Sequence, residues 1–426
     1  MTVAEILSIV NLAFSVLFMI CYSYQVVFLI ISLFIKTTKY NNTDKTKRYA
    51  FIISARNEEN VIGQLCNCIS KQDYPAHLIT TYIVADNCTD STADVARAHG
   101  AQVYERHNTE LVGKGYALTE LFKHIKKTVG YDAYDAYIVI DADNILEPNY
   151  VTEMDKCFCA GNRIIVGYRN SKNLGDNWIS AGYGLWFLRE SRQLNNVRST
   201  LGTSCEVKGT GFLFSNEIME RQDGWIHHLL IEDVQFTVEN VLAGEKVAYC
   251  HDAVLYDEQP TKFKDSFWQR IRWCRGYLQI LRRYTVKLLG GFFGGKGFSH
   301  FDVLMSMSPA FFITVAMMAC NIVGFAIIPF VDIQSLLPAT VSLAISAISA
   351  YFLFLMLAFL TTIYEWHRIH ISTLKKIFYC FTFPIFMATY IIIAACSFFI
   401  KPEWRPVRHT PIDEEQFASS IEQKNK

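Results

Sequence analysis

Between Tyr49 and about Lys264, short apolar runs alternate with segments whose apolar residues recur every three or four positions. Tyr49-Ala-Phe-Ile-Ile53, Thr80-Thr-Tyr-Ile-Val84, Ala101 to Tyr104 and Tyr137-Ile-Val-Ile140 read as strands. Val61, Leu65 and Ile69 mark one face of a helix over Glu59–Ile69, and Leu118, Leu121, Phe122 and Ile125 mark another over Gly115–Lys127. Asp90 is expected to cap a further helix that Gly100 ends. A wholly apolar strand such as Tyr137–Ile140 suits the centre of a parallel sheet. Repeated units of this kind predict an open, mostly parallel α/β sheet.

Four uncharged stretches outside this region are long enough to cross a bilayer, which takes about 20 residues at ~1.5 Å each. They run over Ile6–Ile35, Val303–Val331, Leu336–Ile363 and Ile377–Ile400. The first lacks a basic leader and is followed by Lys36, Lys39, Lys45, Lys47 and Arg48, so it reads as a retained anchor with its C-terminal end in the cytosol. Arg282, Arg283, Lys287 and Lys296 before the second stretch, and Arg368, Lys375 and Lys376 between the third and fourth, keep the central region cytosolic. Parity over four crossings sends the tail outside, although Lys401, Arg405 and Arg408 favour the inside. A re-entrant last stretch, interrupted by Pro384, or an interfacial stretch near Gly290–His300 that counts differently would reconcile the two, and the sequence leaves the side of the tail open.

Lys and Arg number 40 and so do Asp and Glu, which argues against a nucleic-acid binder. The 51% hydrophobic content sits in blocks, giving one polar domain between membrane parts. The expected domains are an N-terminal anchor over 1–47, a cytosolic domain over 48–290 and a three-span region with a tail over 291–426. The twelve cysteines form no CxxC pair, and Cys66/Cys68 and Cys157/Cys159 read as small core residues.

Ligands of open α/β sheets bind beyond the carboxyl ends of the strands, and the polar clusters fall there. Ser54-Ala-Arg-Asn-Glu-Glu59 follows the first strand, Asp86-Asn-Cys-Thr-Asp90 the second, Asn108 and Gly113-Lys-Gly115 the third, and Asp141-Ala-Asp143 the fourth. Two alternating carboxylates in a short turn suit Mg²⁺ or Mn²⁺ shared with a substrate phosphate, with a solvated acidic loop as the plain alternative. Gly113-Lys-Gly115 offers flexible backbone and a cation, without P-loop spacing. Farther on, Ile231-Glu-Asp-Val234 sets two acids in an apolar context, fit for a general base or for helix capping. Gln269, Arg272 and Trp273 share one helical side at i, i+3 and i+4, offering an amide, a cation and an aromatic face.

Asp86, Asp141-Ala-Asp143, Glu232-Asp233 and Gln269-Arg-Ile-Arg-Trp273, in that order, resemble membrane-integrated family 2 glycosyltransferases, a group that includes cellulose, hyaluronan and poly-N-acetylglucosamine synthases. The resemblance implies a GT-A fold and inverting transfer from a nucleotide sugar, UDP-GlcNAc or UDP-glucose first. It implies that Ala55, Asn57 and Glu58 border the nucleoside and that Asp86 bonds the uracil. Lys114 would lie near the phosphates, with Asp141 on the nucleotide and Asp143 on the metal. Asp233 would be the general base with Glu232 raising its pKa. Gln269, Arg272 and Trp273 would hold the diphosphate and the acceptor end. Tyr256-Asp-Glu-Gln-Pro260 and Trp404-Arg-Pro-Val-Arg408 also resemble family features, without assigned chemistry.

Three functions compete at this stage. The first is a plasma-membrane polysaccharide synthase, the second a transferase adding one sugar to a membrane lipid. The third is a channel or sensor with a dead nucleotide-binding domain, against which the co-occurrence of every acid with QxxRW argues. A polymer route through four spans would call for a second copy or a small membrane partner.

Overall fold

The computed structural model describes residues 2–307, 309–402 and 409–412. After helix α1 (Val3–Ser32) come β1 (Tyr49–Ala55), α2 (Ile62–Ser70), β2 (Ile79–Asp86), α3 (Thr92–Ala98), β3 (Gln102–Arg106), α4 (Lys114–Thr128) and β4 (Ala136–Asp141). The chain continues through β5 (Ile145–Leu146), α5 (Tyr150–Cys159), β6 (Ile164–Ser171) and α6 (Trp178–Arg189). A π-helical turn over Glu190–Asn195 leads into α7 (Asn196–Thr200), β7 (Phe212–Ser215), α8 (Asn216–Gln222), α9 (Glu232–Leu242) and β8 (Val247–Asp257). The 31-residue α10 (Phe263–Phe293) is followed by α11 (Ser299–Met307), α12 (Pro309–Val331), α13 (Leu336–Tyr364) and α14 (Thr373–Ser397).

The eight strands form one sheet in the order β3-β2-β1-β4-β7-β6-β8-β5. β3, β2, β1 and β4 are mutually parallel, β7 runs antiparallel to both neighbours, and β6 pairs parallel with β8. Both faces are covered, which explains the unbroken apolar strands. Ala50 and Ile52 of β1 pack with Leu118, Leu121 and Phe122 of α4. Tyr49, Phe51 and Ile53 point the other way, toward Ile62 and Leu65 of α2. Burial of each such large side chain contributes roughly 1.5–3 kcal/mol. The sheet is the open, mostly parallel GT-A type, joined to apolar helices.

Local departures from the expected boundaries have identifiable causes. α2 begins at Ile62 rather than Glu59 because Asn57 takes a left-handed conformation (φ 58°) and the next residues form a turn. Ser91 occupies the N-cap position of α3 but makes no side-chain capping bond, and it is Asp90 that accepts from the Thr92 amide, at 3.1 Å. Cys159 is exposed, so the second CxC pair is only half buried.

Among the described residues four helices are long and apolar enough to cross a membrane: α1, most of α12, α13 and α14. α14 differs from the others in what it touches. Its start reaches back to the domain, where Lys375 Nζ and Tyr379 Oη both donate to the Gly175 carbonyl. Its middle lies on α6, with the Phe386 ring so close to Gly182 that a Cβ there would stand 2.3 Å from it. Its end lies on α10, where Arg270 donates to Thr389 and Arg275 to the carbonyls of Ser397 and Phe398. α1 is docked differently, through a buried polar cluster. Tyr24 Oη donates to Asp302 Oδ1 at 2.9 Å, and Arg198 donates to both Asp302 oxygens at 2.7 Å. Arg189 donates to Gln25 Oε1 at 3.0 Å.

Candidate active site

A cleft of about 350 Å³ opens at the carboxyl ends of β1, β2 and β4 and runs toward α11 and α14. The end at the strand termini is built from Arg56, Glu58, Asp86, Lys114, Asp141 and Asp143, and the far end from Trp186, Trp273, Tyr277, Ser306, Met387 and Tyr390. Glu232, Asp233, Gln269 and Arg272 lie between them. Of the residues expected at the site, all but Ala55 and Asn57 line this cleft. Ala55 is buried at the end of β1. Asn57 braces the neighbouring loop, its Oδ1 accepting from the Thr89 amide at 2.8 Å.

The strand ends place the charges. Asp86 is buried at the end of β2, where Arg106 of β3 donates to its Oδ1 at 2.5 Å. Lys114, in the first turn of α4, reaches across to donate to Asp141 Oδ1 at 2.5 Å and to the Gly209 carbonyl at 2.8 Å. Burial would lower the Lys114 ammonium, but Asp141, Glu232 and Asp233 hold it above its ordinary value. Asp141 is further fixed by its amide, which donates to Thr210 Oγ1 at 2.9 Å.

Asp143 is buried, and burial together with Asp257 pushes its carboxyl up to about 7. The Glu258 amide donates to Asp143 Oδ2 at 3.2 Å, and Asn144 bridges Asp143 Oδ1 and Asp257 Oδ1. Asp257 in turn is paired with Arg169. The motif Tyr256–Pro260, to which no chemistry was assigned, therefore forms the wall behind Asp143.

Glu232 and Asp233 open α9, the first buried and the second half-buried. Asp233 Oδ2 accepts from the Gly209 amide at 2.5 Å. Burial and the charge of Asp233 raise the Glu232 carboxyl to about 7, and burial raises that of Asp233 against the pull of Lys114. Two adjacent acids that bury their charge beside a lysine and an arginine are not a capping pair at a solvated helix end; α9 shows no side-chain cap. From α10, Arg272 donates to the Leu230 carbonyl at 3.2 Å, Trp273 packs edge-on against Tyr183, and Gln269 Oε1 is buried without a hydrogen-bond partner. That orphaned oxygen suits a ligand hydroxyl.

His409 was not foreseen. It follows Trp404–Arg408, which lies outside the described residues, and it enters the cleft at the strand termini. Its Nδ1 lies 2.9 Å from Glu58 Oε2 and its Nε2 4.0 Å from Asp143 Oδ2. Burial opposes its charge, but Asp143 and Glu58 raise its pKa to about 10, so it is an imidazolium at neutral pH. Thr410 and Ile412 continue onto Glu258 and Gln64. Residues 409–412 thus lie against the face of the domain that carries this cleft.

Among the described residues no three His, Cys, Asp or Glu side chains cluster around a common point as a metal cage. The Asp141–Asp143 turn fits the other kind of site, in which Mg²⁺ takes one or two carboxylates and completes its shell with substrate phosphate and water.

Comparison with known proteins agrees with this layout. The family model described as Glycosyltransferase like family 2 matches residues 47–276, from the first strand through the Gln269–Trp273 turn. The probable glycosyltransferase YdaM of Bacillus subtilis is 22% identical over 262 residues, 58% of this chain and 59% of that protein. A beta-monoglucosyldiacylglycerol synthase of Synechocystis is 26% identical over 249 residues, 56% of this chain and 50% of that protein. The chain thus spans between half and three-fifths of the length of these relatives. Among solved structures, the mannosyltransferase PcManGT from Pyrobaculum calidifontis, in complex with GDP-Man and Mn²⁺, superposes with a TM-score of 0.57 at 16% identity, covering 92% of this chain and 98% of that one. With a family match over more than half its length, and with that family's acids converging on one cleft, the chain belongs to the glycosyltransferases of family 2.

Proposed function

We propose that the protein transfers a sugar, with inversion, from a UDP-sugar (UDP-GlcNAc or UDP-glucose) to an acceptor presented at the membrane, and that a membrane lipid is the acceptor the geometry favours. One observation carries this reading. The cleft that begins at Asp86 and Asp141 ends on Ser306 of α11 and Met387 and Tyr390 of α14, and among the described residues none of α1, α12 or α13 lines it. An acceptor reaches such a cleft along the membrane surface rather than through the helix bundle. The lipid glucosylation named in the Synechocystis relative agrees with it. A growing polysaccharide is the second reading, supported by the row Trp186, Phe187, Trp268, Trp273 and Tyr277, whose ring faces suit successive sugars.

In this mechanism Asp233 takes the proton of the acceptor hydroxyl as its oxygen attacks the anomeric carbon. The diphosphate departs from the opposite face with the bonding pair. Arg272 and Lys114 line the cleft where charge would develop on that leaving group. Asp141 and Asp143 would hold Mg²⁺ or Mn²⁺, and the chemistry such an ion supplies when bound is charge neutralisation on the diphosphate. Glu58 and Asp86 would border the nucleoside, and Gln269 and Trp273 the sugar and acceptor end.

Topologically, α1, α12 and α13 would cross the plasma membrane with the sheet domain in the cytosol, and α14 would lie along the domain at the membrane surface. Three crossings return the tail to the cytosolic side, where His409 meets Glu58. The test is to give membranes containing the protein a panel of labelled UDP-sugars with Mn²⁺ and to size the extracted product. A single labelled sugar in the lipid phase supports the first reading; long lipid-insoluble material establishes the second. No transfer from any UDP-sugar overturns both.

A further inference from the structure

Beyond the catalytic cleft, a second open cavity of about 610 Å³ lies on the far half of α10, against α9 and the glycine-rich loop Gly290–Gly297. Three cations line it: Arg283, Lys287 and Lys296. None of the three has an ion-pair partner among the described residues. The one acid in the wall, Glu239, is already spent. Its Oε1 accepts from Tyr284 and Gln235, and its Oε2 lies 3.0 Å from His227 Nδ1. Burial works against its charge, yet those bonds from His227 and Tyr284 keep its carboxyl down at about 2, so it is no free counter-ion. The guanidinium of Arg283 and the ammonium of Lys287 flank the Tyr284 ring at 5.5 and 5.9 Å, which fixes both beside the cavity.

The surroundings set its depth. Phe298, at the end of the glycine-rich loop, packs edge-on against Tyr24 (5.3 Å) and Phe28 (6.2 Å), near the C-terminal end of α1. Val286 and Phe293, 83% and 81% exposed, project from α10 on a stripe beside that of Arg283 and Lys287. An apolar stripe next to a basic one is the pattern of a helix lying in the headgroup layer.

We propose that this cavity binds the phosphate of an anionic phospholipid, with Arg283, Lys287 and Lys296 on the headgroup and Val286 and Phe293 among the acyl chains. Such a site would anchor α10, and with it Gln269, Arg272 and Trp273, at a fixed height over the bilayer. The proposal rests on the reading of α1 as a membrane span.

The test uses the full-length protein reconstituted into nanodiscs of mixed phosphatidylcholine and phosphatidylglycerol, re-extracted in detergent and assayed for retained lipid. The expected result is enrichment of phosphatidylglycerol over its bulk share, falling roughly fivefold for each cation removed in Arg283→Gln, Lys287→Gln and Lys296→Gln. Lys287→Arg, which keeps the charge, should retain the enrichment, separating charge loss from misfolding. Equal retention by the wild type and the triple variant overturns the site. Displacement of the lipid by millimolar inorganic phosphate, whatever the acyl chains, assigns the cavity to a soluble anion and overturns the lipid. Retention of neither lipid class unseats the membrane assignment of α1, and the proposal with it.

Discussion

The Gly209 amide donates to Asp233 Oδ2 at 2.5 Å, and the Gly209 carbonyl accepts from Lys114 Nζ at 2.8 Å. One residue in left-handed conformation (φ 84°) thus holds the candidate base and the candidate phosphate cation in register. In Asp233→Asn the side-chain oxygen still accepts from Gly209 while the basicity is gone. The expected result is unchanged UDP-sugar binding by calorimetry and transfer slowed by about 10²–10⁴-fold. Normal turnover in this variant would remove Asp233 from the role of base.

The pH profile should carry the signature of the acid pair. Burial, reinforced by Asp233, lifts Glu232 from the ordinary 4.5 to about 7. A raised folded-state pKa means that the protonated form is the better accommodated one. Its contribution to stability is present below pH 4.5 and lost as pH rises through about 7. Activity runs the other way, since the base Asp233 must be ionised; burial raises its carboxyl, so the acid limb of kcat/KM should lie above that of an ordinary aspartate. Glu232→Gln removes the like charge beside Asp233 and should move that acid limb to lower pH. A limb that stays in place would separate the two residues functionally.

Gly115 is needed for room rather than for flexibility. A Cβ at this position would stand 2.3 Å from the His227 carbonyl oxygen and 3.3 Å from Glu232 Cβ. Gly115→Ala should therefore push away the loop that delivers Glu232 and Asp233. The expected cost is roughly 1–3 kcal/mol of stability, with a lower kcat at nearly unchanged donor affinity. Thermal denaturation beside steady-state kinetics measures both, and a variant with wild-type kcat contradicts the packing.

Arg106 and Asp86 are a buried pair, side chains 4% and 6% exposed. Arg106→Met strands the Asp86 charge, and breaking a buried pair in this way costs about 3–5 kcal/mol. Denaturant unfolding should show that loss, with weakened uridine nucleotide binding. Asp86→Asn in the same chain should restore much of the stability but not the binding.

The strands and the acids at their ends were legible because both follow local rules. β1, β2 and β4 carry continuous apolar runs, and Asp86, Asp141 and Asp143 sit where such strands stop. Gln269, Arg272 and Trp273 were legible because helical spacing alone puts them on one side. His409, Arg106 and Arg169 were not, since each earns its place through a partner brought near by topology; His409 and Glu58 are 351 positions apart. Nor could hydropathy separate α14 from α13. What tells them apart is the shape of α6, where Gly182 leaves space for Phe386.

The polar docking of α1 has a consequence for biogenesis. Tyr24 and Gln25 find their partners 278 and 164 positions downstream, at Asp302 and Arg189. As the chain leaves the ribosome, α1, read as a membrane span, would enter the bilayer long before either partner exists. Its insertion and its seating on the domain are then separate events in time. A nascent chain halted short of α11 would hold a fully formed sheet whose Arg198, paired in the finished protein with Asp302 and Glu206, has only Glu206 to neutralise it.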